Sequence, residues 1–191
     1  MKTFVAMLRA VNVGGANSLP TTEFVRVLEA LGLGSVKTYI QTGNAVFNAN
    51  SREGAGLSQK IKDRIRVSHG FAPEVILLRL EELEDAVAAN PYPVANSSPK
   101  SLHLTFLASA PRNPDLTALE KWRTKSEQYA LKGRIFYFYA PEGVGRSKLF
   151  SRIEKVLGVC GTARNWRTTC KLLGMAREFA AAGGKLPTSP R

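Results

Sequence analysis

Side chains able to hold a ligand gather in four short stretches of this 191-residue chain. The first brings Arg9 together with Asn12, Gly14, Gly15 and Asn17, and the second is Gln41-Thr42-Gly43-Asn44. Neutral amides around one fixed cation suit a polar ligand carrying phosphate or carboxylate better than they suit general acid–base work. The same asparagines also suit turns, where they bond their own backbone. The third stretch is Gly143-Val-Gly-Arg146-Ser147-Lys148, which reads as a turn after a strand that opens a helix. Amide N–H groups at such a start can hold an anion, with Arg146 and Lys148 adding charge. The stretch lacks the Walker A spacing, and this arrangement is common without any ligand. The fourth, Thr162–Lys171, reads as a helix capped by Thr162 with Trp166, Cys170 and Leu173 turned inward. Arg164, Arg167 and Lys171 then form an exposed ridge that can track a phosphate backbone or pair with acids around Glu82.

Other chemistries find little support. His69 and His103 have no partner at metal-ligand spacing, and Cys160 and Cys170 are not a CxxC pair, so no metal or cofactor is expected. No GxSxG sequence is present. The three aspartates, Asp63, Asp85 and Asp115, all fall in helices or caps, which disfavours a two-metal phosphotransfer site.

The elements that must position these residues follow from spacing. Thr3–Leu8 reads as a buried strand, and Phe24, Leu28 and Leu31 mark a helix. Val36–Ile40 and Ala45–Phe47 read as strands joined by the hairpin 41–44, with Gly43 taking the special dihedral. Leu57, Ile61 and Ile65 mark a second helix, and Glu74–Leu80 reads as a fourth strand. An acidic helix, Glu81–Asn90, leads into a Pro-rich linker at 91–100, since prolines preclude helix and central strand. The pattern restarts with a strand at Leu102–Leu107 and a helix from Asp115 carrying Leu116, Leu119 and Trp122. Aromatic Ile135–Tyr139 follows as a strand, then a helix with Leu149, Ile153 and Val156. The expected fold is α+β, with two ferredoxin-like βαββα-type halves at 1–90 and 101–182, antiparallel or mixed sheets and a tail at 183–191. Topology then places the loop after the first strand beside the 41–44 hairpin.

Charge and composition bound the partners. The net charge is +12, and residues 142–191 hold ten of the 27 bases but three of the 15 acids. Such an excess attracts phosphorylated small molecules or nucleic acid, although charge runs are more often solvated surface. No stretch approaches the length of a membrane helix, and the N-terminus lacks a signal-peptide pattern. Two cysteines suit a reducing cytoplasm and read as small buried residues.

The segments Leu8-Arg-Ala-Val-Asn-Val-Gly-Gly15, Tyr39-Ile-Gln-Thr-Gly-Asn44, Gly145-Arg-Ser-Lys-Leu149 and Thr162-Ala-Arg-Asn-Trp166 resemble, in that order, the signatures of the bacterial "domain of unknown function 1697" family. The resemblance implies a small cytosolic α+β protein and marks these segments as the places to look, without implying an activity. The leading expectation is binding of a phosphorylated or polyanionic partner, nucleic acid included, with strand aromatics as stacking faces. The rivals are a metal-independent enzyme for a small anionic ligand held between the halves and a protein-interaction module.

Overall fold

The chain in this computed structural model is described at residues 1–15, 17–50, 56–93 and 98–182. The linker's Val94–Ser97, the tail 183–191 and Ala16 of the first loop lie outside the described residues. Every residue of β1 (Lys2–Leu8) after Lys2 is buried, as a central strand covered on both faces requires. Helix α1 (Thr21–Glu29) buries Phe24, Val27 and Leu28, one stripe at helical spacing. Strands β2 (Gly34–Thr38) and β3 (Asn44–Ala49) form the expected hairpin, and α2 (Leu57–His69) buries Leu57, Ile61 and Ile65. Strand β4 (Val75–Arg79) completes an antiparallel sheet of order β2-β3-β1-β4. The core between helices and sheet holds Phe4, Ala6, Leu8, Phe24, Phe47 and Ile61. Phe4 and Phe47, directly paired across β1 and β3, stack at 6.1 Å. Each such buried ring contributes roughly 1.5–3 kcal/mol.

Helix α3 (Leu80–Ala88) precedes a second copy of the same plan. It comprises β5 (Leu102–Leu107), α4 (Leu116–Glu120), β6 (Gln128–Lys132), β7 (Ile135–Tyr139), α5 (Ile153–Leu157) and β8 (Gly161–Asn165). The sheet order β6-β7-β5-β8 reproduces the first, again fully antiparallel. The protein is therefore α+β with two ferredoxin-like units. Helix α6 (Trp166–Ala181) closes the described chain.

The units are not a plain split at the linker. The first is Met1–Glu84 together with the described residues from Lys171 on, and the second is Asp85–Cys170. Residues 85–93 group with the second unit through side chains on β6 and β7. Tyr137 donates its hydroxyl to the Ala86 carbonyl at 2.7 Å, and Lys132 reaches the Ala89 carbonyl at 2.7 Å. Tyr92 stacks on Tyr139 at 5.9 Å. In the other direction, Leu172, Met175, Ala176 and Phe179 of α6 are buried at helical spacing, an apolar stripe that needs a core.

Four local readings need correction. Thr162 does not cap a helix. It lies in β8, where Leu104↔Arg164 and Phe106↔Thr162 pair with β5, and Asn165 supplies the cap by accepting the Thr168 N–H at 2.9 Å. A strand completing the sheet outweighed the local helical pattern. Cys170 is exposed and Cys160 is half-buried, so neither is a core residue; both are free thiols. Gly143–Ser147 forms turns rather than a helix start, and the helical segment begins as a 3-10 turn at Phe150–Arg152. Trp122 lies beyond α4, partly exposed, with the Arg152 guanidinium 3.8 Å from its ring centre.

Candidate functional site

The loop after β1 and the β2–β3 hairpin do meet. The Leu8 N–H donates to the Gly43 carbonyl at 2.7 Å. Asn12 Nδ2 donates to the carbonyls of Gln41 at 2.6 Å and Leu19 at 2.8 Å, while its Oδ1 accepts the Leu19 N–H at 2.7 Å. Asn44 is fully buried and donates to the Tyr39 carbonyl and to Thr42 Oγ1 at 3.0 and 2.9 Å. Asn12 therefore clasps the two loops together, while Asn44 braces the hairpin from within. Gly14 and Gly15 are exposed at positive φ, as are the backbones of Asn12, Asn17 and Ile40 in the same loops. The cluster presents Arg9, Val13, Ile40, Gln41 and Thr42 to solvent. Replacing Asn12 by Gly keeps the left-handed backbone and deletes only the clasp. The expected loss is about 2 kcal/mol, read as a lower denaturant midpoint; an unchanged midpoint would show that the clasp is dispensable.

The basic ridge does not form as expected. Arg164 points from β8, is 8% exposed, and donates to Thr162 Oγ1 at 2.7 Å and the Ala163 carbonyl at 2.8 Å. Burial pulls its guanidinium down to about 10, which still leaves it charged at neutral pH. A strand and a helix share no periodicity, so Arg164 separates from Arg167 and Lys171, which are exposed on α6. Nor does β7 offer a stacking surface. Phe136, Tyr137 and Phe138 are fully buried, and Tyr139 is covered by Tyr92. Both alternate sets of the strand thus face packed layers.

The third stretch borders a cavity inside the second unit. About 490 Å³ in volume, it is lined by Thr124, Ser126, Glu127, Ala140, Glu142 and the loop residues Gly143, Gly145, Arg146 and Ser147. This size is typical of small-molecule sites. Arg146 is exposed and has no hydrogen-bonding or ionic partner among the described residues, and the exposed ammonium of Lys148 has none either. Gly143 and Ser147 close turns onto Ala140 and Val144, while the amides of Val144, Gly145 and Arg146 have no partner there. Ser147 Oγ accepts the Phe150 N–H at 3.1 Å, which fixes the loop to the 3-10 turn.

Also in the lining, Glu127 is 5% exposed; its Oε2 accepts the Thr124 N–H at 2.9 Å and its own N–H donates to the Thr124 carbonyl at 3.2 Å. The carboxylate-to-amide bond is the glutamate half of a capping box, the return bond going to the Thr124 carbonyl rather than its hydroxyl, and the pattern Thr124-x-x-Glu127 was the available sequence signal for it. Glu142 Oε1 accepts the Ser126 hydroxyl at 3.0 Å. Thr124, Ser126, Glu127 and Glu142 are the site residues that sequence reasoning missed. No group of acidic, histidine or cysteine side chains among the described residues is arranged to hold a metal ion. No described helix is long and apolar enough to cross a membrane.

Two ferredoxin-like units, a clasped loop pair and a polar cavity define a double-βαββαβ protein with a candidate small-molecule site. The chain belongs to the family described as "Protein of unknown function (DUF1697)", whose sequence model matches residues 1–137. Among solved structures it is similar to the conserved bacterial protein SP0830 from Streptococcus pneumoniae, at 25% identity and a TM-score of 0.66, over 92% of this chain and 98% of that one. No curated protein matches the sequence.

Proposed function

We propose that this protein binds a small phosphorylated molecule, without a metal, in the cavity bordered by residues 124–127 and 140–147. One observation carries the reading: a cavity of small-ligand size is lined by Arg146, which has no partner among the described residues, beside Ser147 and a run of unused loop amides. Guanidinium, hydroxyl and successive backbone N–H groups together match phosphate oxygens. Nucleic acid has weaker support, because the β7 aromatics are buried and Arg164 is separated from Arg167 and Lys171. A cytoplasmic location goes with the proposal and suits two free thiols.

The test is a thermal-shift and calorimetric comparison of hexose 6-phosphates and nucleoside monophosphates with their unphosphorylated parents. Phosphorylated members should raise the melting temperature and their parents should not. Arg146→Ala should weaken binding about tenfold or more, since it removes a charge-assisted contact. Shifts of equal size for both classes, or unchanged affinity in the variant, would overturn the reading.

A further inference from the structure

The cavity that Arg146 lines is also lined by acids. Among the described residues, two carboxylates, Glu127 and Glu142, and a single guanidinium are the charged side chains that line the cavity. A ligand carrying only phosphate and neutral groups would bring no cation to these carboxylates. Glu127 is the more constrained of the two. Its Oε2 is held by the Thr124 amide, and its carbonyl accepts Arg123 Nη1 at 3.0 Å. Arg123 forms its ion pair with Glu120 at 2.7 Å and adds only a lesser electrostatic attraction to Glu127. Glu127 Oε1 has no hydrogen-bond partner among the described residues, although the residue is 5% exposed and lines the cavity. A nearly buried carboxylate with one open oxygen favours a cationic donor. Thr124 Oγ1 and Ser126 Oγ, 3.3 Å apart, border the same cavity and can accept further N–H bonds.

We infer that the ligand is zwitterionic: it carries a primary ammonium group for Glu127 and Glu142 and a phosphate for Arg146 and Ser147. This rests on the phosphate-binding reading and deepens it. Phosphorylated amino sugars and phosphorylated amino alcohols belong to this class. The opposite charges orient the ligand and favour it over both simple phosphates and simple amines.

Two near-isosteric probes test it. Glucosamine 6-phosphate and glucose 6-phosphate differ by an ammonium in place of one hydroxyl. Isothermal titration of the full chain at pH 7 should show the amino compound binding about tenfold or more tightly, as a charge-assisted bond to a buried carboxylate implies. Glu127→Gln keeps an acceptor for the Thr124 N–H, so the turn survives, and should collapse the preference while sparing glucose 6-phosphate. Glu142→Gln, at an exposed position, provides a second variant and should reduce the preference partially. Equal affinities in the native protein would overturn the zwitterion and leave phosphate binding standing. A preference unaltered in both variants would overturn the assignment to these carboxylates. Binding of neither probe, or of any phosphorylated compound, would overturn the phosphate reading and this inference together.

Discussion

Gly43→Ala should lower the stability of the first unit by about 3 kcal/mol, the larger part from a collision rather than from the backbone. Gly43 sits at φ +70, and a Cβ added there would lie 2.7 Å from Leu8 Cβ and 3.1 Å from Leu8 Cγ. Leu8 is buried at the end of the central strand β1, and its Cβ is fixed by the backbone, so it cannot swing aside. The two residues are also joined by the Leu8 N–H···O=C Gly43 bond, which prevents the chains from parting. Gly15→Ala is the matched control. It has φ +78 but nothing within 4 Å of the added Cβ, so only the left-handed strain of about 1 kcal/mol applies. Urea titrations of the two variants should separate by about 2 kcal/mol. Equal losses would mean that the loops are not held against each other as described.

The second large effect is a pH dependence set by His103. This residue lies on the helix-facing side of β5, opposite Phe138 and Asn165, with its ring 5.6 Å from that of Phe150. Its Nδ1 is buried and has no hydrogen-bond partner. Burial pushes the imidazole down to about 4 from its ordinary 6.5. The unfolded chain therefore takes up a proton at a higher pH than the folded chain does. The stability associated with neutral His103 is fully present above pH 6.5 and is lost as pH falls toward about 4, with no further loss below. The whole step is worth at most about 3 kcal/mol. His103→Gln stays neutral throughout and should abolish this slope. Carboxylates that titrate in the same range cancel in the difference between the two proteins. A difference in unfolding free energy that stays flat between pH 7 and 4 would show that His103 is solvated in the native state.

Much of the architecture was legible because it depends on local spacing. Phe24 and Leu28, or Leu57, Ile61 and Ile65, can share a core only in a helix, and the apolar run ending at Leu8 only in a covered strand. Gly43 announced a left-handed turn, and the βαββ order then brought that hairpin to the loop holding Asn12, which the Asn12 Nδ2 bond to the Gln41 carbonyl bears out. The positive φ of Ile40 left no trace in the sequence, since a β-branched residue disfavours that conformation and only the surrounding clasp holds it there.

What tertiary structure alone decided lies where local pattern and long-range pairing disagree. Thr162–Asn165 reads as the start of an amphipathic helix, yet the open edge of β5 recruits it as β8, because an unpaired central strand costs more than the local helical preference returns. That choice buried Arg164 and dissolved the ridge. Ile135–Tyr139 was visibly a strand, but whether its aromatics met solvent depended on what lay on each face; Tyr137 bonding to Ala86 and Tyr92 stacking on Tyr139 answer that through contacts across the second unit. Glu127 carried a legible local role in the Thr124-x-x-Glu127 turn. Its place in one cavity with Arg146 did not follow from any spacing, since only the packing of the 124–127 turn beside the 140–147 loop brings the two charges there.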